Sequence, residues 1–160
     1  MNAPTPDPET VRSRYTEEFR IRLSDRSPSG HVNNVSFLRY LDEARTAFLA
    51  GRPGRGGVLR PVLDVVTTLV ARNVVEYRRE IFPDEEPVRL DLWVPRIGRT
   101  SFSVAAHAYG RSSDEPAAIF DSTVVLATRA TGQPWPIDDA TRQLLAAYAG
   151  PPPALRTTAG

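Results

Sequence analysis

Ser24-Asp25-Arg26-Ser27-Pro28-Ser29-Gly30-His31-Val32-Asn33-Asn34 leads, through Val35 and Ser36, into Phe37-Leu38-Arg39-Tyr40-Leu41-Asp42-Glu43-Ala44-Arg45, and this stretch decides the fold. Its first part is a turn by composition, because serine, aspartate, proline and glycine each favour tight or side-chain-capped backbone. Its second part is a helix. Phe37, Leu38, Leu41, Ala44 or Arg45, and Phe48 recur at three and four residues, Asn33 or Asn34 begins the run, and Gly51 with Pro53 ends it after Ala50.

Upstream, Tyr15 to Leu23 alternates as a strand, with Phe19, Ile21 and Leu23 on one face and Arg20 and Arg22 on the other. Downstream, Gly51 to Gly57 reads as a flexible connection, and Leu59 to Thr67 fits a short helix, a loop or the start of a strand. Four runs rich in β-branched and apolar residues follow, at Thr68 to Arg79, Val88 to Ile97, Ser101 to Gly110 and Ala117 to Arg129. Their separators hold the proline, glycine, serine and acidic residues of hairpin loops, so consecutive strands are expected to be antiparallel neighbours in a meander. After a turn at Thr131 to Pro136, Asp138 or Asp139 caps a last helix reaching Ala149, expected as a peripheral lid. Strand, long helix, four strands and a small helix predict an α+β domain in which an antiparallel sheet packs on one central helix. The domain is expected at residues 15–149, between proline-rich flexible tails at 1–14 and 150–160.

At 41% hydrophobic residues, 160 residues suffice for one sizeable core. A net charge of +1 creates no field to attract nucleic acid or an anionic membrane, and neither partner is expected. All 20 basic residues are arginine, which reads as coding bias, although an arginine beside a pocket can grip phosphate bidentately. Without cysteine, disulfides, thiolate nucleophiles and thiolate metal sites are excluded. The start carries no basic region followed by an apolar stretch, and no window reaches the roughly 18 apolar residues of a spanning helix. A cytoplasmic protein is expected.

The turn and helix resemble the hotdog acyl thioesterases of the 4-hydroxybenzoyl-CoA and acyl-ACP thioesterase kind, in their acidic turn, Gly30-His31-Val32-Asn33-Asn34 and the helical Glu43-Ala44-Arg45. More weakly, the likeness extends from about Tyr15 to Ala149, including Ile97-Gly98-Arg99-Thr100-Ser101. It implies a hotdog fold, hydrolysis of an acyl-CoA or acyl-ACP thioester, no cofactor, and a homo-oligomer, either a dimer or a dimer of dimers, formed by joining sheets edge to edge. One departure stands out. The family's second carboxylate, four positions before the histidine, is Ser27 here, while the first is kept as Asp25; the asparagine of plant-type relatives, two before the histidine, is Ser29.

Thioester hydrolysis needs donors for the developing oxyanion and a group to activate water. A helix start offers unpaired N–H groups and the positive end of a dipole, and the resemblance implies that the Asn34 N–H faces the carbonyl. For the base, three residues remain open. Asp25 can act directly, His31 belongs to a residue type whose unperturbed pKa is about 6.5, and Ser27 can position water or attack with histidine's help. Each also has a structural reading: Asp25 as a turn cap, Ser27 bonded to backbone and His31 bracing the loop. Glu43 lies half a turn from the Asn34 face and can pair with Arg39. Asn33, Phe37 and Leu41 are candidates to line the substrate site, and Arg99, Thr100 and Ser101 to approach the pantetheine arm from the partner subunit. His107 reads as structural, and no metal-ligand spacing occurs. The competing functions are a non-catalytic acyl-thioester binder and a hotdog enoyl-CoA hydratase, whose aspartate-to-histidine spacing is one residue shorter than that from Asp25 to His31.

Overall fold

Alternating and helical patterns in the chain resolve into one main sheet and one long helix. A computed structural model describes residues 13–156, so nearly all of the expected N-terminal tail lies outside the described residues. The elements are β1 (Tyr15–Phe19), α1 (Asn34–Ala50), the short strands β2 (Gly51–Arg52) and β3 (Arg55–Gly56), β4 (Val66–Tyr77), β5 (Val88–Ile97), β6 (Ser101–Tyr109), β7 (Ala118–Thr128) and α2 (Asp139–Ala146). The main sheet has the order β1-β5-β6-β7-β4, with every neighbouring pair antiparallel.

Helix α1 lays its apolar stripe on the inner face of this sheet. Phe37, Tyr40, Leu41, Ala44 and Phe48 are buried with Leu90, Leu92, Phe102, Val104, Phe120 and Val124 in one continuous core. The result is the hotdog architecture, an antiparallel sheet wrapped around a central helix. The helix starts where Asn33 Oδ1 accepts the Ser36 N–H at 2.8 Å, and stops at Gly51, whose φ of 90° belongs to glycine. A side chain at Gly51 would also meet the Arg55 carbonyl at 2.5 Å, inside the tight β2–β3 hairpin that replaces the expected flexible connection.

Two expectations are corrected. The meander holds for β5, β6 and β7, but β4 pairs with β7 at the far edge and β5 takes β1 as its other neighbour. The segment between β4 and β5 cannot reverse as a hairpin. It forms a 3-10 turn at Pro83–Glu85, where the Glu85 carboxylate accepts the Phe82 N–H, and is bridged to the turn before α1 by Val32 N–H on the Ile81 carbonyl. The first strand ends at Phe19, and Leu23 is 81% exposed where the chain turns into a 3-10 helix at Leu23–Asp25.

Beyond α2 the chain lies against the opposite, outer face of the sheet. Gly150 abuts the Trp93 indole, and Trp93 Nε1–H donates to the Pro151 carbonyl at 2.6 Å. Farther on, Arg78 donates to the Ala154 carbonyl at 2.6 Å, and the Arg156 N–H donates to Glu76 Oε2 at 2.7 Å.

Candidate active site

The turn before α1 is held from both sides. Ser27 N–H donates to the His31 carbonyl at 2.8 Å and Gly30 N–H to the Ser27 carbonyl at 2.9 Å, with Gly30 at φ 92° closing the reversal. Asn33 N–H donates to the Asp25 carbonyl, so the turn ends where the helix cap begins.

Asp25 is buried under this turn, with donors on both carboxylate oxygens. Arg39 and the Ser36 hydroxyl reach Oδ1; the Tyr40 hydroxyl, at 2.7 Å, and the Arg22 N–H, at 2.8 Å, reach Oδ2. Arg39 therefore pairs with Asp25 instead of Glu43. Burial raises the Tyr40 phenol above its ordinary pKa, which keeps the hydroxyl as a donor.

Ser27 is half-buried, its Oγ 3.2 Å from the Ser29 Oγ. His31 Nδ1 lies 2.9 Å from the Val32 carbonyl. A carbonyl only accepts, so Nδ1 carries the hydrogen, and in the neutral form of the ring Nε2 is the acceptor. Nε2 is 3.6 Å from Glu80 Oε1, and the ring stands edge-on to Phe82.

At the start of α1 the Asn34 and Val35 N–H groups have no acceptor among the described residues, as expected for a first helical turn. Asn34 is exposed, and its carbonyl accepts the Tyr77 hydroxyl at 3.0 Å. Phe37 and Leu41 lie one and two turns on, both buried, with Phe37 edge-on to Tyr77. The structure thus brings Asp25, Ser27, His31, Asn33, Asn34 and Phe37 together around one helix end.

Arg99, Thr100 and Ser101 are elsewhere. Asn34 lies beside Tyr77, which pairs with Ala118, itself paired with Ala108, whereas Ser101 is at the other end of β6. Seven residues of strand put these ends about 23 Å apart. The turn is also committed locally: the Arg99 carbonyl accepts the Ile137 N–H, the Thr100 carbonyl the Leu126 N–H, and Arg142 donates to the Ile97 and Gly98 carbonyls. Within one subunit these residues cannot share a site with Asn34.

Two features escaped sequence reasoning. Tyr77 ends an edge strand and carries no local signal for its bond to Asn34. Arg45, buried to 5% exposure, donates to Ser122 Oγ at 3.3 Å and pairs with Asp42, while Ser122 donates to Asn73 Oδ1 at 2.7 Å. Burial lowers the pKa of Arg45 while the Asp42 carboxylate opposes the shift. Among the described residues no group of histidine and acidic side chains is arranged to hold a metal.

No curated protein matches the chain in sequence. Solved structures match it over most of its length. A thioesterase from Thermus thermophilus, crystallised with coenzyme A and zinc, is 26% identical, with 89% of this chain and 98% of that chain covered at a TM-score of 0.67. A thioesterase superfamily protein from Jannaschia sp. is 19% identical over 92% of this chain and 99% of its own, with a TM-score of 0.74. A 1,4-dihydroxy-2-naphthoyl-CoA thioesterase from Synechocystis is 13% identical over 84% and 96%, with a TM-score of 0.68. The family model of the thioesterase-like superfamily matches residues 21–145, which span α1, the whole β4–β7 run and nearly all of α2. The chain belongs to the thioesterase-like superfamily.

Proposed function

We propose that this protein hydrolyses acyl thioesters of coenzyme A or acyl carrier protein at the N-terminus of α1. The observation that carries the reading is the pair of unpartnered Asn34 and Val35 N–H groups beside the turn that holds His31 and Ser27. Donors at a helix end, aided by its dipole, stabilise the negative charge that builds on the carbonyl oxygen.

His31 is the base in this reading, because both oxygens of Asp25 already serve four donors whereas Nε2 of His31 has only Glu80 Oε1 beside it, at 3.6 Å, beyond hydrogen-bond distance. Ser27, at the position of the missing carboxylate, orients the water. Nε2 takes a proton from that water, the hydroxide adds to the thioester carbon, and the oxyanion rests on the Asn34 and Val35 N–H groups. Its collapse breaks the carbon–sulfur bond, and the thiolate takes the proton back from the imidazolium.

A homodimer completes the site. Strand β4 presents an unpaired edge with Leu69 and Val70 exposed, and a second copy paired antiparallel along it covers them. Antiparallel pairing sets the far end of the partner's sheet, with its Arg99 to Ser101 turn, next to the Asn34 end of the first. Following thiol release from acyl-CoA by the full chain, together with the His31→Gln variant, tests the reading.

A further inference from the structure

The end of β4 grips two things at once. Successive side chains of a strand point to opposite faces, and at this end Glu76 and Arg78 point outward while Tyr77 points inward. On the outer face, Glu76 Oε2 accepts the Arg156 N–H at 2.7 Å and Arg78 donates to the Ala154 carbonyl at 2.6 Å. The two side chains are themselves paired at 2.8 Å. On the inner face, the Tyr77 hydroxyl donates to the Asn34 carbonyl at 3.0 Å, and the Tyr77 ring stands edge-on to Phe37 at 5.8 Å.

The chain that reaches Glu76 and Arg78 is stiff and anchored at its other end. Pro151, Pro152 and Pro153 restrict the backbone, and the segment begins where Gly150 abuts Trp93 so closely that a Cβ would lie 2.4 Å from Cδ1. Trp93 Nε1–H then holds the Pro151 carbonyl at 2.6 Å. Residues 150–156 therefore span the outer face from β5 to the end of β4, where their backbone bonds the side chains of Glu76 and Arg78 on either side of Tyr77.

The Asn34 carbonyl and the Val35 N–H belong to one peptide plane, so the Tyr77 hydroxyl fixes the orientation of one of the two free donors at the helix start. We infer that Tyr77 is a positioning residue for the oxyanion donors of α1, and that the C-terminal segment, seated on Glu76 and Arg78, holds Tyr77 in place. This rests on the thioesterase reading above. Tyr77 touches no reacting atom in this scheme; its effect is on the rate of the chemical step and not on substrate affinity.

The test uses the full chain in a Trp135→Phe background, which leaves Trp93 as the only tryptophan. Glu76→Ala/Arg78→Ala is expected to raise acrylamide quenching of Trp93 and lower kcat about fivefold to tenfold, the size of one lost hydrogen bond, with KM changed less than about twofold. Tyr77→Phe is expected to lower kcat as much without altering the quenching, and the triple variant to fall no further, because both changes remove the same constraint. Amide exchange at Leu38, whose N–H the Asn34 carbonyl accepts in the first turn of the helix, reads the coupling without substrate and is expected to quicken in both variants. A parent enzyme that releases no thiol rejects the thioesterase reading, and exchange then decides the coupling alone. Unchanged kcat and exchange in Tyr77→Phe, unchanged quenching in the double variant, or additive losses in the triple variant would each overturn the inference.

Discussion

The Tyr40 hydroxyl lies 2.7 Å from Oδ2 of Asp25, fifteen residues back along the chain, and ties the turn to the helix it precedes. With Arg39 and the Ser36 hydroxyl on Oδ1 and the Arg22 N–H on Oδ2, the buried carboxylate is the keystone of the turn. Replacing it strands a buried phenol and leaves a guanidinium without its partner. Asp25→Ala is expected to cost about 3 kcal/mol, measured by urea unfolding.

His107 faces outward from β6, edge-on to Trp93, with Nδ1 3.0 Å from the Tyr109 hydroxyl and Nε2 buried without a partner. Burial, with Arg14 and Arg78 adding to it and Asp91 opposing, pushes its pKa from 6.5 down to about 4. The unfolded chain binds a proton that the folded chain refuses over this interval. Stability from this group is therefore full above about pH 6.5 and lost progressively as pH falls towards 4, with no further loss below. Urea melts at pH 7 and pH 4.5 should show the loss, and His107→Phe should reduce it.

Leu69 is 52% exposed on the free edge of β4, where the proposed partner strand pairs. Leu69→Lys puts a charge on the edge that the partner strand would cover and removes apolar cover. Light scattering is expected to show the mass fall from two chains to one, with thiol release lost alongside, since Arg99 to Ser101 of the same subunit lie at the opposite end of the sheet from Asn34.

The helix was fully legible in the sequence. Its start, open between Asn33 and Asn34 in the pattern, falls with Asn33 as cap and Asn34 as first residue, and Gly51 stops it after Ala50 as expected, because capping and left-handed glycine are local chemistry. The β5 strand was read to the residue. Strand order was not, because β4 and β5 are joined by a segment whose prolines and acids resemble a hairpin loop but fold as a 3-10 turn. The site divides in the same way. His31, Ser27 and Asn34 are sequence neighbours and were found together, whereas Tyr77 reaches Asn34 across forty-three residues and the Arg45–Ser122–Asn73 chain joins three elements. Such contacts exist only once the sheet has closed on the helix.

The central claim is that this helix end hydrolyses thioesters with His31 as base, and release of free thiol from a panel of acyl-CoAs tests it most directly. The full chain is expected to release thiol well above the uncatalysed rate, and His31→Gln to lower kcat about 100-fold or more with KM little changed. Tight binding of acyl-CoA with thiol appearing only at the background rate would contradict the claim and make the protein a binder, and loss of enoyl absorbance from crotonyl-CoA without free thiol would make it a hydratase.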